Sequence, residues 1–203
     1  MRELLKDSGF RGNELLTPLL CFFVRSWNGI IISIFVLTFI LSLLIPHPWP
    51  RAFLIMSVID VVASSAHMAK EDRAKLGLTV FAASCPLSGV FLTGDTSLNP
   101  LAVADSGVKV SFMSYFYYMS VPMIIAAIIT MLLIMVLFRP TKEVSIDVDA
   151  LRLKQKGLGA FSEKETRTLI WLVIAIALWL TSGITGIDVG WLTLVVALLM
   201  SLP

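Results

Sequence analysis

The sequence predicts an all-α membrane protein with a re-entrant hairpin and a broken helix. Of 203 residues, 57% are hydrophobic and 15% charged, against roughly 45–50% apolar and about 25% charged in globular chains. Mean hydropathy is +0.89. The apolar residues are gathered in long runs parted by short basic stretches, so the lipid bilayer is the expected surrounding. The net charge of +2 comes from Lys and Arg residues dispersed among those stretches rather than from one patch. No nucleic-acid partner is expected.

Residues 1–26 carry Arg2, Lys6 and Arg11, but Asn13 and Glu14 fall where a cleavable signal needs its apolar core. The segment reads as an amphipathic, cytoplasmic N-terminal piece. Residues 27–45 are a continuous apolar run, just short of the ~20 residues of a straight span. Pro46-His47-Pro48-Trp49-Pro50-Arg51 ends it, because three prolines in five positions remove backbone donors and forbid helix continuation. A second apolar arm follows from Ala52, with Asp60 in its middle, placed to pair with Arg51 or with a segment elsewhere. The unit 27–66 is either two short crossing helices with an exposed loop or a re-entrant helical hairpin. Its short arms and Pro-broken tip favour the hairpin.

Residues 67–138 open on a charged connector, His67 to Lys75, and continue as an apolar segment of small residues from Leu76. Ala82, Ala83, Ser84, Ser88 and Gly89 let a neighbouring backbone approach, and Pro86 loosens the helix. Beyond them the chain to Pro100 is broken by Gly and Pro and rich in hydroxyls and amides. Unpaired N–H and C=O groups facing lipid cost several kcal/mol each, so such a stretch lines a cavity or packs inside protein. It is a broken helix at a solute site or a tight helix pair with an ordinary proline kink.

Residues 119–138 make the clearest full span. Residues 139–168 hold Lys142, Arg152, Lys154, Lys156, Lys164 and Arg167, a cytoplasmic linker by the positive-inside rule. The 67–75 connector and the N-terminus read the same way, which requires 27–66 and 76–138 each to make a round trip. Residues 169–203 open a further span, turn at 185–188 and begin another apolar segment. Cys21 and Cys85, the two cysteines, have no metal-type spacing and read as small packing residues.

The stretch Phe81-Ala-Ala-Ser-Cys-Pro-Leu-Ser-Gly-Val-Phe-Leu-Thr-Gly-Asp-Thr-Ser-Leu-Asn99-Pro-Leu-Ala-Val103 resembles the unwound-helix segment in the first half of divalent anion/sodium symporters, carriers of dicarboxylates, tricarboxylates and sulfate. In that family a small-residue helix leads through a Gly- and Thr-rich break to a Pro-Asn pair and then small apolar residues. Residues 14–66 resemble the family's cytoplasm-facing re-entrant hairpin, 119–138 the next span, 139–167 the loop joining two inverted repeats, and 169–180 the first span beyond it. The resemblance implies an inverted-repeat secondary transporter, with Na⁺ as the coupling ion or H⁺ in its place. It also implies a fragment or split carrier: the later part of the first repeat, the linker and the start of the second, completed by a partner chain or a homodimer.

Two departures stand out. The family's tip reads Ser-Asn-Thr, whose hydroxyls, amide and carbonyls help hold sodium and the substrate carboxylate; here Pro46-His47-Pro48 stands at about that place. The break is about one residue longer than the commoner form, and Leu98 stands where Pro usually precedes Asn99.

A hard cation wants several oxygen ligands without large net charge, as carbonyls, hydroxyls and amide oxygens at a broken helix supply. Ser84, Ser88, Thr93, Gly94, Asp95 and Asn99 offer that set, and the resemblance singles out Asn99. Asp95 is either a cation ligand, a proton carrier in place of sodium, or a wetted loop residue. A small anionic substrate wants donors, which Asn99, Pro100 at the start of a new helix, Thr96 and Ser97 would provide. By the same resemblance His47 and Arg51 replace the hydroxyl and amide tip as anion-facing donors.

Two other classes compete. A structural or regulatory membrane subunit shares the composition but would bind no anion. An intramembrane aspartyl protease would use Asp60 and Asp95 as a pair, yet the Gly-x-Gly-Asp context is absent around Asp95. Neither a zinc pattern nor a Ser/His/Asp set is present, so no catalytic residue and no enzyme activity is expected.

Overall fold

The computed structural model describes residues 26–45, 47–141, 163–187 and 189–201, and every regular element among them is helical. In chain order they are α1 (Trp27–Leu44), α2 (Pro48–Ser65), α3 (Lys70–Ser88), a 3₁₀ turn (Leu92–Gly94), α4 (Asn99–Asp105), α5 (Phe112–Leu137), α6 (Glu163–Thr185) and α7 (Val189–Ser201). The segment 1–25, Pro46, the linker interior 142–162 and Asp188 lie outside the described residues, as do Glu14 and Cys21.

Helix α1 is the buried centre. The Ser26 side chain accepts from the Gly29 N–H at 3.2 Å and caps its first turn. Ser33, Thr38 and Ser42 are buried, and each hydroxyl donates back to a carbonyl of α1 itself. An apolar helix thereby carries hydroxyls with none left unpaired.

The prolines of the tip start α2 rather than lengthen the turn. Pro48 and Pro50 stand in the first turn, where the N–H groups have no helical partner, so α2 begins four residues before the expected arm at Ala52. Helix α3 begins six residues before the expected Leu76, because Glu71 and Asp72 in its first turn complement the helix dipole. It ends at Ser88, two residues past Pro86, whose ring nitrogen has no proton to give the Ala82 carbonyl. Helix α6 starts at Glu163, inside the segment expected as linker. Gly186, at φ +68°, ends it in the left-handed conformation that suits glycine.

One end of the bundle is tied by polar contacts. The Trp27 indole N–H donates to the Phe138 carbonyl at 2.6 Å, and Lys75 Nζ to the Arg139 carbonyl at 3.0 Å. The Asp72 carboxylate accepts from Lys75 at 3.1 Å and from the Thr141 N–H and hydroxyl at 3.1 and 2.9 Å. Burial pushes this carboxyl up, but the bonds from Thr141 and Lys75 together outweigh it and hold Asp72 below the usual carboxylate value. The starts of α1 and α3 and the end of α5 therefore share one level.

Asp60 sits at this same end and pairs with Arg73 at 3.4 Å, both side chains well exposed. It does not reach Arg51. Nine residues of helix between them amount to about 13.5 Å of rise.

At about 39 Å, the 26-residue α5 is long enough to cross a hydrocarbon core of ~30 Å. Val121, Ile125, Ile129, Leu132 and Val136 lie exposed along it, a face suited to lipid. Cys85 also faces outward from α3 and is no packing residue. The stacking of Phe112 on Trp179, at 6.3 Å between ring centres, joins α6 to the start of α5. Trp179 in turn donates to the Thr193 hydroxyl of α7 at 3.0 Å.

Candidate functional site

The break between α3 and α4 lies at the end of the bundle opposite the Asp72 cluster. Pro86 leaves the Ala82 carbonyl without its helical donor, and the end of α3 leaves its last carbonyls open, so donors from beyond the helix must meet them. Phe91 holds this turn down: its ring packs 5.3 Å from Phe116, 6.4 Å from Phe112 and 5.6 Å from Phe39. Gly94 is pressed so closely on the end of α3 that a Cβ there would stand 2.5 Å from the Ser88 carbonyl oxygen. Only glycine fits.

Asn99 closes the break. Its Nδ2 donates to the Ser88 and Phe91 carbonyls, both at 2.9 Å. Carbonyls accept only, so this contact settles which way the amide is turned.

Asp95 is buried. Its Oδ1 accepts from the Ser97 and Leu98 N–H groups at 2.9 and 3.1 Å, a local turn that uses two of the donors leading into α4. The facing positive charge comes from Arg51. Its side chain is fully buried, one turn into α2, with Nη2 donating to the Ser88 hydroxyl and Nη1 to the Gly94 carbonyl at 3.4 Å. The Asp95 carboxylate acts on this guanidinium electrostatically, and on the buried Tyr115 in the first turn of α5. The Ser88 hydroxyl also donates to the Ser84 carbonyl, so hairpin and broken helix are joined through one oxygen.

The structure thus gathers Ser84, Ser88, Thr93, Gly94, Asp95 and Asn99 with Arg51 around one unwound turn. The Ser84 and Thr93 hydroxyls and Arg51 Nε are buried without a hydrogen-bond partner among the described residues. A buried unpaired hydroxyl costs about 1–3 kcal/mol, and hydroxyl oxygens suit a hard cation. In part, then, the donor set fits a small monovalent cation: two oxygens lack partners, while Ser88 Oγ and Gly94 O are already engaged by Arg51.

Thr96, Ser97 and Pro100 are exposed beside Asn99, on the outer rim. His47 is separate in role: its Nδ1 accepts from the Trp49 N–H at 3.4 Å and caps α2. Arg51 is turned inward, its Nη groups spent on protein oxygens, where the sequence suggested an outward anion donor. Asp60 and Asp95 occupy opposite ends of the bundle and form no pair of the kind an aspartyl protease needs. Sequence reasoning missed Phe91 and Tyr115; the aromatic cluster at 112–118 was the signal that something packs on the break.

No curated protein matches the sequence. The family described as the sodium:sulfate symporter transmembrane region matches residues 19–203. That match spans the hairpin, the break, the long α5 and both later helices, and it bears out the resemblance to divalent anion/sodium symporters: the chain belongs to the sodium:sulfate symporter family of membrane transporters.

Proposed function

We propose that the chain forms part of a cation-coupled carrier for a divalent anion, sulfate or a di- or tricarboxylate, in the cell membrane. The unwound turn closed by Asn99 is its half of the solute site. The observation that carries this reading is the double donation of Asn99 to the carbonyls of Ser88 and Phe91, which bridges the two sides of the break. A helix broken in this way presents backbone and side-chain oxygens at membrane depth, as carriers of small ions require.

In this reading Ser84, Ser88, Thr93, Gly94, Asp95 and Asn99 form the side of the break where positive charge is held. Thr96, Ser97, Asn99 and Pro100 form the substrate rim, His47 approaches from the hairpin tip, and Arg51 lends positive charge from within. The facing half of the site is supplied from outside these 203 residues.

The test has two arms. Purified chain is melted in detergent with sulfate, succinate or citrate, each against chloride at equal ionic strength, and liposomes containing it are assayed for uptake of the labelled anions under Na⁺ or H⁺ gradients. The proposal expects at least one divalent anion to raise the melting temperature and Asn99→Ala to abolish that rise. Stabilisation without uptake is the signature of half a site. A protein indifferent to every anion in both arms is a structural or regulatory subunit, and the carrier reading fails.

A further inference from the structure

Resting on the carrier reading, we infer that the Arg51 guanidinium is a tethered cation that takes the place of a bound sodium ion at this break, so that the anion site here is completed without Na⁺. The argument starts from the oxygens. Ser88 Oγ and Gly94 O belong to the set that a sodium ion at the unwound turn would use, and both accept hydrogen bonds from Arg51 instead. Each oxygen keeps a second lone pair, so what bars a sodium ion is the guanidinium charge already standing beside both.

Burial makes the replacement permanent rather than occasional. Arg51 is fully buried, as few arginines are without a matching role, and its guanidinium keeps its charge at any physiological pH. A sodium ion entering beside it would meet a like charge in surroundings of low dielectric, where repulsion is strongest. The charge is also accounted for: Arg51 Nη1 reaches the Gly94 carbonyl, one residue from the buried Asp95 carboxylate, whose Oδ1 is held by the Ser97 and Leu98 N–H groups.

The sequence agrees with this exchange. Hydroxyl and amide groups that would bind sodium are absent from the hairpin tip, where Pro48, Trp49 and Pro50 lead directly to Arg51. Pro48 in the first turn of α2 sets the helix so that Arg51, three residues on, enters the bundle at the level of Ser88. Sodium coupling in the assembled carrier then rests on oxygens outside this break.

Melting the full chain in detergent in NaCl, KCl and choline chloride at equal ionic strength reads the inference directly. Wild-type protein is expected to melt within about 1 °C in all three, whereas a sodium site filled at ten times its Kd would add about 3–6 °C. Arg51→Gln and Arg51→Ala, with the guanidinium gone, are expected to gain an Na⁺-selective rise of that size, and Arg51→Lys is not. A saturable Na⁺-specific rise in the wild type overturns the inference even if no variant folds, and so does a lack of Na⁺ response in folded Arg51→Gln or Arg51→Ala. Sulfate and succinate melts run beside these separate the two claims: silence toward every anion refutes the carrier reading and leaves the cation comparison standing.

Discussion

Replacing Asn99 probes the break at one atom. Asn99→Ala removes two neutral hydrogen bonds, each 2.9 Å long, and leaves the Ser88 and Phe91 carbonyls without that donor. At about 0.5–1.5 kcal/mol per bond the loss is roughly 1–3 kcal/mol, a fall of about 4–8 °C in melting temperature at the 2 kcal/mol midpoint for a chain of this length. Asn99→Asp is the sharper test, because it keeps the shape and exchanges the donor for oxygen. An ionised carboxylate would face two carbonyl oxygens at hydrogen-bond distance, so this variant should melt below Asn99→Ala at neutral pH. Acidification protonates the introduced carboxyl and restores one donor, so the deficit should shrink as pH falls, while Asn99→Ala shows no such recovery. Thermal melting in detergent across pH 4–8 reads both. An aspartate variant as stable as wild type at neutral pH would refute the assigned orientation of the amide and the bridge built on it.

Two further outcomes follow from other contacts. Gly94→Ala should destabilise by about 1–3 kcal/mol and weaken anion-dependent stabilisation, because its Cβ would stand 2.5 Å from a backbone oxygen that cannot swing aside. Gly77→Ala, whose Cβ meets only Met56 Cε at 3.7 Å, should instead stabilise by about 0.5–1 kcal/mol, and equal losses in both variants would contradict the close approach. The Asp72 carboxyl lies below its ordinary value of 3.8 when folded. Its contribution is therefore complete above that ordinary value and lost as pH falls through the lower folded value. Wild type should lose more stability than Asp72→Asn on acidification below about pH 4, and Asp60→Ala, which breaks an exposed pair, should change stability by less than about 0.5 kcal/mol. Identical acid profiles for wild type and Asp72→Asn would remove the Thr141 contact from the account.

Helix positions were legible because lipid imposes a simple demand. Apolar runs of the right length must be helices when no water can satisfy the backbone, and the runs at 27–45 and 119–138 became α1 and α5. Helix starts were less legible. Pro48 and Pro50 look like breakers in a list of residues, but a first-turn N–H has no partner to lose, so they open α2. Lys70 to Lys75 looks like a loop by charge, yet Asp72 gains Lys75 and Thr141 as partners, which carries α3 back into the connector.

At the break, the sequence by itself determined that hydroxyls, glycine and Asn99 would meet at an unwound turn, because Pro86 and Gly94 are covalent limits on the backbone. Which groups answer one another was decided only by tertiary structure. Arg51 is 37 residues from Ser88 and 43 from Gly94 along the chain, and nothing local tells whether its guanidinium turns outward toward an anion or inward onto those oxygens. The packing of α2 against α3 turns it inward, since a buried charge must find acceptors and a facing carboxylate, and the break offers both.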